Sequence, residues 1–282
     1  MSEQWEITGP KVLDIGDEHE RVEALDVGLV AGRVDVVTHD DSPTARIEAQ
    51  EIEGRPLRVT WDGRMVRVTH VQPEHGTIWE SLKAWGSDER ARAVVSISVP
   101  SGTQGSVSTV SAEAVVSGLR HTAKVNTVSG DLTIDDLEGD IDAHTVSGSI
   151  EGLGLRGSFT GNSVSGSITV QRSRLDPIRL NTVSGDLTMD LEQSDATVRS
   201  SSVSGDVTLR LAPGTGYAVR VTTMSGTAVV DGRKITGMLG KGGTFTEGNG
   251  GLKVKANSVS GNVTILRGGH ADAGATLATD PT

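Results

Sequence analysis

The sequence predicts an all-β fold, a right-handed β-solenoid or β-roll built from 18–21-residue repeats with a β-rich N-terminal cap. Three observations predict it. A seven-residue phrase, V-S-G-D-L-T-hydrophobic, recurs through the second half of the chain. The core must be thin and aliphatic, because 282 residues contain only four Trp, two Phe and one Tyr beside 36 Gly; such a composition suits repetitive layers. Between the phrases, apolar and polar residues alternate with the period of a half-buried strand.

Full copies of the phrase begin at Val128, Val146, Val164, Val183, Val203, Met224 and Val259, after a degenerate copy at Val110. From serine to serine (Ser111, Ser129, Ser147, Ser165, Ser184, Ser204, Ser225, Ser260) the steps are 18, 18, 18, 19, 20, 21 and 35. A fixed period of this length marks a stacked repeat architecture. After each Ser-Gly corner, a triplet such as Leu132-Thr133-Ile134 reads as a short strand. A turn follows (Asp135 to Gly139), and a second alternating piece returns to the next copy, as in Ile141, Ala143, Thr145 or Ile178, Leu180, Thr182. Glycine suits the corner because it accepts positive φ. Coils about 4.8 Å apart give a rod of roughly 35 Å for the eight marked rungs.

Stacking turns equivalent positions into columns. The motif Val and the Leu, Val or Ile after the corner are expected to form aliphatic ladders inside. Two residues before the motif stand Asn126, His144, Asn162, Asn181, Ser201, Thr222 and Asn257, a column able to hydrogen-bond along the stack. The residue just before the motif is always a hydroxyl: Thr127, Thr145, Ser163, Thr182, Ser202, Thr223, Ser258.

The first hundred residues keep the β pattern more loosely. Alternating segments fall at 22–26, 34–37, 45–50, 57–61, 65–71 and 94–99, and Asp62-Gly63 predicts a hairpin between two of them. Val30 to Val36 echoes the repeat, with Ala31-Gly32 in place of Ser-Gly. Trp5, Trp61, Trp79 and Trp85 all lie here, as expected of a cap over an open coil end. The chain thus divides into a capping region at 1–100, solenoid repeats at 101–267 and a disordered tail at 268–282. Within 72–93, Ile78, Trp79, Leu82 and Trp85 share one face of a short helix. These four are the candidate partner-binding residues; packing across the solenoid flank is the competing role. Gly237–Gly251, inside the 35-residue step, reads as a flexible inserted loop, since its Gly-Lys-Gly-Gly-Thr lacks phosphate-loop spacing.

Signatures of chemistry are sparse. Without cysteine there are no disulfides, thiol nucleophiles or cysteine-ligated metals. The histidines form no H-x-H or H-E-x-x-H, and no G-x-S-x-G elbow occurs. Asp131, Asp186 and Asp206 align after the corner, but Ser149, Ser167, Thr227 and Asn262 fill the equivalent places, favouring turn capping over calcium. The Thr column (Thr133, Thr169, Thr188, Thr208, Thr264) is broken by Glu151 and Val229 and reads as ordinary strand threonine. Asp135, Asp136, Asp140 and Asp142 cluster, but in a turn. A net charge of −11, with −8 of it in residues 1–100, argues against a nucleic-acid partner. No secretory signal opens the chain and no apolar run spans a bilayer, which predicts a cytoplasmic protein without membrane insertion.

The repeat, with Asn or Ser/Thr just upstream, a preceding N-terminal β segment, and a Gly-rich turn before the final VSGNVTI, resembles the bacterial putative-adhesin family of β-strand-repeat proteins of unknown function. The likeness runs over residues 22–267. It implies a non-catalytic β-solenoid, in some members tied to the cell envelope and its stress responses, and carries no catalytic residues. The expected function is therefore a structural or binding module, without cofactor or metal, that offers its flank to a protein or glycan partner. The runner-up is a self-assembling cytoplasmic scaffold similar to bactofilins; a carbohydrate-active β-helix enzyme ranks third.

Overall fold

The computed structural model describes residues 3–70, 91–235 and 243–268. Every element among them is a β-strand, and the 23 strands join in one hydrogen-bonded sheet.

One coil shows how the repeat makes the fold. Strand β11 (Glu138–Thr145) runs into the corner at 146–149, and β12 (Ile150–Leu153) leaves it. The next coil repeats this with β13 (Arg156–Ser165) and the start of β14 (Ile168–Ser184). Pairing is parallel, with Ile141 opposite Phe159, Thr145 opposite Ser163 and Ile150 opposite Ile168. The offset equals the 18-residue sequence step, so the repeat sets the register. Alternation then sends one set of side chains inward: Ile141, Phe159, Ile178 and Val198 before the corner, and Leu132, Ile150, Ile168 and Leu187 after it, all buried. Leu119, Leu137, Leu155 and Leu175 fill the opposite corner. Each such aliphatic side chain contributes about 1.5–3 kcal/mol by leaving water, which is how the core forms with few aromatics.

The motif valines correct the sequence expectation. Val146, Val164, Val183, Val203, Val259 and Met224 are 37–59% exposed and point outward. The inward place at this corner belongs to the hydroxyl one residue earlier, and period-2 alternation turns the Val away. Thr145 Oγ1 accepts the N–H of Gly148 at 2.9 Å, as Thr127 Oγ1 does for Gly130, so the buried hydroxyl caps the turn. The corner glycine has a second cause beside the expected positive φ, which Gly185, Gly205 and Gly226 show. A Cβ on Gly130, Gly148, Gly166, Gly205 or Gly261 would overlap the backbone carbonyl of the rung below, and Gly130, Gly148, Gly166 and Gly261 have no positive φ. Close stacking of coils requires glycine at every one of these corners, and backbone conformation adds to it at Gly185, Gly205 and Gly226.

The stack does not follow chain order at its C-terminal end. Strand β22 (Leu252–Ser260) lies between β16 (Ala196–Ser204) and β18 (Tyr217–Ser225), in parallel with both. Likewise β23 (Val263–Arg267) lies between β17 (Val207–Leu211) and β19 (Ala228–Val230). The 35-residue step thus carries the chain past its last coil and back inside it. The return uses β20 (Arg233–Ile235), antiparallel to β19, and β21 (Gly243–Glu247), antiparallel to β18. Residues 243–247 of the expected flexible loop are therefore strand; 237–242 lie outside the described residues. Arg267 locks the return, pairing with Asp231 at 2.6 Å and Glu247 at 2.7 Å while lying over the Tyr217 ring. Tyr217 donates its hydroxyl proton to Asp231 at 2.8 Å, and burial together with these carboxylates raises its pKa.

At the N-terminal end the stack continues across residue 100. Strand β3 (Ala24–His39) pairs in parallel with β8 (Gln104–Ser117), placing Ala31 opposite Ser111, so the Ala31-Gly32 echo is a true corner. Beyond β3 lie β6 (Met65–Thr69) on one wall and β7 (Ala91–Pro100) on the other. Antiparallel strands finish each wall: β5 (Leu57–Trp61) then β1 (Glu3–Ile7), and β4 (Ala45–Gly54) then β2 (Lys11–Ile15). The hairpin at Asp62-Gly63 is present, with Asp62 accepting the N–H groups of Arg64 and Met65. Strand β7 begins at Ala91, inside the segment read as an interruption. Trp61 is buried and its indole N–H donates to Glu20 at 3.2 Å.

Candidate functional site: an outer groove along the stack

Outward-facing residues before the corner build a groove of about 900 Å³ along the stack. One wall is the column of motif valines closed by Met224, and the other is the column from Asn126 to Asn257. Between them lies the buried hydroxyl column, including Thr145, Ser163, Thr182, Ser202 and Ser258. Neighbouring rungs place like upon like: Asn162 opposite Asn181, Asn181 opposite Ser201, Ser201 opposite Asn257. Side chains bond along this wall: Asn181 Nδ2 donates to Asn162 Oδ1 at 2.9 Å, and Asn162 Nδ2 lies 3.0 Å from His144 Nδ1. Burial holds the His144 pKa below its ordinary value against the pull of Asp142, which suits a neutral ring accepting at Nδ1. The wall is thus a fixed row of amide and hydroxyl groups.

The opposite wall is unusual for a surface. Six aligned apolar side chains remain exposed, where isolated ones would be ordinary. Beneath them, Ser163 Oγ, Thr182 Oγ1 and Ser258 Oγ are buried without a hydrogen-bond partner among the described residues. A strip with one apolar wall and one polar wall can hold an elongated ligand by many small contacts. Sequence reading identified the polar column and missed the apolar one, although the recurring Val or Met beside a hydroxyl was its signal.

The other candidates resolve differently. Ile78, Trp79, Leu82 and Trp85 lie outside the described residues. Within the acidic cluster, Asp136 pairs with Arg120 at 2.8 Å and Arg156 at 3.6 Å, and Asp140 accepts the Ser158 hydroxyl proton at 2.7 Å. The aspartate column caps the stack: Asp131 accepts Ser149 N–H at 2.8 Å, Asp186 accepts Asp206 N–H at 2.9 Å, and Asp206 accepts Asn262 N–H at 2.7 Å. Each carboxylate is committed to the next rung, which is the turn-capping role its position predicts. Among the described residues no His/Cys/Asp/Glu group could hold a metal ion, and no helix is long and apolar enough to cross a membrane.

Comparison with known proteins agrees with the resemblance read from the repeat. Residues 158–266 match the Toastrack DUF4097 family. A crystal structure of a putative adhesin from Bacteroides fragilis NCTC 9343 covers 91% of this chain and 97% of its own, at 11% identity and TM-score 0.50. A putative lipid binding protein from Parabacteroides distasonis ATCC 8503 covers 92% and 97%, at 12% identity and TM-score 0.38. A putative cell adhesion protein from Clostridium sporogenes ATCC 15579 covers 92% and 100%, at 10% identity and TM-score 0.27. No curated protein matches the sequence. At such identities the Bacteroides protein supports the all-β fold alone.

Proposed function

We propose that this chain is a non-catalytic, adhesin-like binding module, a right-handed β-solenoid whose outer groove receives an extended glycan or protein segment. The hand follows the general preference of parallel crossovers. The observation that carries the reading is the row of exposed valines facing the asparagine row. Burying them needs a partner, because their own coils already have full interiors. A link to the cell envelope fits the resemblance and a cytoplasmic site fits the sequence expectation; both are proposals.

End-to-end scaffolding is the weaker reading. The outermost strands are three to five residues long and each carries charge at its edge, such as Glu3 and Glu6 in β1, Lys11 and Asp14 in β2, and Arg233 and Lys234 in β20. Short charged edges discourage strand addition. The test is a glycan array and a peptide array, each probed with wild type and with Val183→Asn/Val203→Asn. Ligands bound by wild type and lost by a variant of unchanged melting temperature support the groove. Equal binding by both proteins refutes it.

A further inference from the structure

Beside the groove, on the same outward face, the four rungs at the C-terminal end carry a cation at the same position. Arg179 stands opposite Arg199, Arg199 opposite Lys255, and Lys255 opposite Arg220. All four are exposed. Toward the N-terminal end the column continues as Thr160, Asp142 and Lys124. Like charges directly opposite one another destabilise a sheet, and here three such pairs adjoin. None of the four has an ion-pair partner among the described residues. Elsewhere in this protein, of net charge −11, many arginines find carboxylates, as Arg33 with Asp35, Arg46 with Glu48, Arg120 with Asp136 and Arg267 with Asp231, while those without one among the described residues, such as Arg92 and Arg172, do not form such a column. Four like charges on consecutive rungs, none with an ion-pair partner among the described residues, form a column that a polyanion from outside can neutralise.

We propose that the groove and this ladder together bind a linear polysaccharide carrying one carboxylate per sugar, a polyuronate. The inference rests on the groove reading above and names its ligand class. The ladder lies two residues along the strand from the asparagine row, about 7 Å away, so one chain can span both. Cations recur about every 4.8 Å, close to the length of one pyranose ring. Ring hydroxyls meet the Asn162, Asn181 and Asn257 amides, and the C–H faces of the sugars meet the valines. With no aromatic side chain lining the groove, charge supplies the selectivity.

Calorimetric titration with polygalacturonate, fully methyl-esterified polygalacturonate and poly-glutamate tests this. Wild type is expected to bind polygalacturonate, to weaken as salt rises, and to bind the ester and poly-glutamate at least tenfold more weakly. Arg199→Gln/Lys255→Gln should lose at least tenfold for polygalacturonate with a melting temperature equal to or above wild type, while Lys124→Gln changes nothing. No binding of polygalacturonate, or equal binding by the double variant, overturns the proposal. Tighter binding of poly-glutamate overturns the glycan class. Equal binding of the ester, lost in Val183→Asn, overturns the role of the ladder and leaves the groove standing.

Discussion

Replacing Gly166 by Ala tests the stacking that shapes the groove. Gly166 has no positive φ, so the substitution brings no intrinsic backbone strain. The added Cβ would lie 2.8 Å from the Gly148 carbonyl carbon and closer still to its oxygen. Carbon atoms pack at about 3.5–4.0 Å, so the two rungs must part by about 1 Å. Two hydrogen bonds straddle the spot, Ser165 N–H to Val146 O at 2.8 Å and Ile150 N–H to Ser167 O at 2.9 Å. Losing both costs about 1 kcal/mol each, and forcing atoms into a packed site adds about 1–3 kcal/mol. The expected destabilisation is about 3–5 kcal/mol in urea unfolding. Gly9→Ala, with nothing within 4 Å of its added Cβ, should change stability by less than about 1 kcal/mol. A Gly166→Ala protein within 1 kcal/mol of wild type would refute the stacking argument.

Three further predictions follow from the same coils. Val164→Ala, at a side chain 48% exposed, should cost about 0.5 kcal/mol, whereas buried Ile168→Ala four residues on should cost about 2–5 kcal/mol; equal losses in thermal melts would contradict the outward valine. Burial lowers the His70 pKa from 6.5 to about 4, so between those values the unfolded chain binds a proton that the folded chain does not. Stability is then full above about pH 6.5 and falls by about 3 kcal/mol as pH drops to 4, at 1.36 kcal/mol per unit. His70→Asn should flatten much of that slope, the remainder including His144; an unchanged slope would rule out His70 as its source. Finally, Thr208→Cys with Thr264→Cys should oxidise to a disulfide in this cysteine-free chain, because those residues are opposite on adjacent rungs. Thr208→Cys with Val229→Cys, two rungs apart, should stay reduced; the reverse pattern would restore stacking in chain order.

The repeat made the coil legible because parallel register and sequence period are the same quantity. Inward positions such as Ile141, Ala143 and Leu132 followed from alternation alone, and all are buried. The motif valines were misplaced because apolarity was read as burial, while the hydroxyl beside them had the stronger claim on the interior. Rung order could not be read from the step of 35: a long insertion and a returning coil leave the same spacing, and the difference lies in pairing between residues far apart in sequence. Strands β1 and β2 were missed because their alternation is weak, with Glu3, Glu6, Lys11 and Asp14 exposed along edges that pair on one side only. The cationic ladder was invisible for the same reason as rung order, since Lys255 joins Arg199 and Arg220 only once the last coil is seated between them.

Methyl NMR of valine-labelled protein titrated with polygalacturonate tests the central claim, that the outer groove is the binding site, most directly. Shifts are expected only in the exposed column, Val146, Val164, Val183, Val203 and Val259, with buried Val170, Val198, Val207 and Val219 unmoved. Shifts absent from that column, or centred on Val115 and Val229 of the opposite outward face, would contradict it.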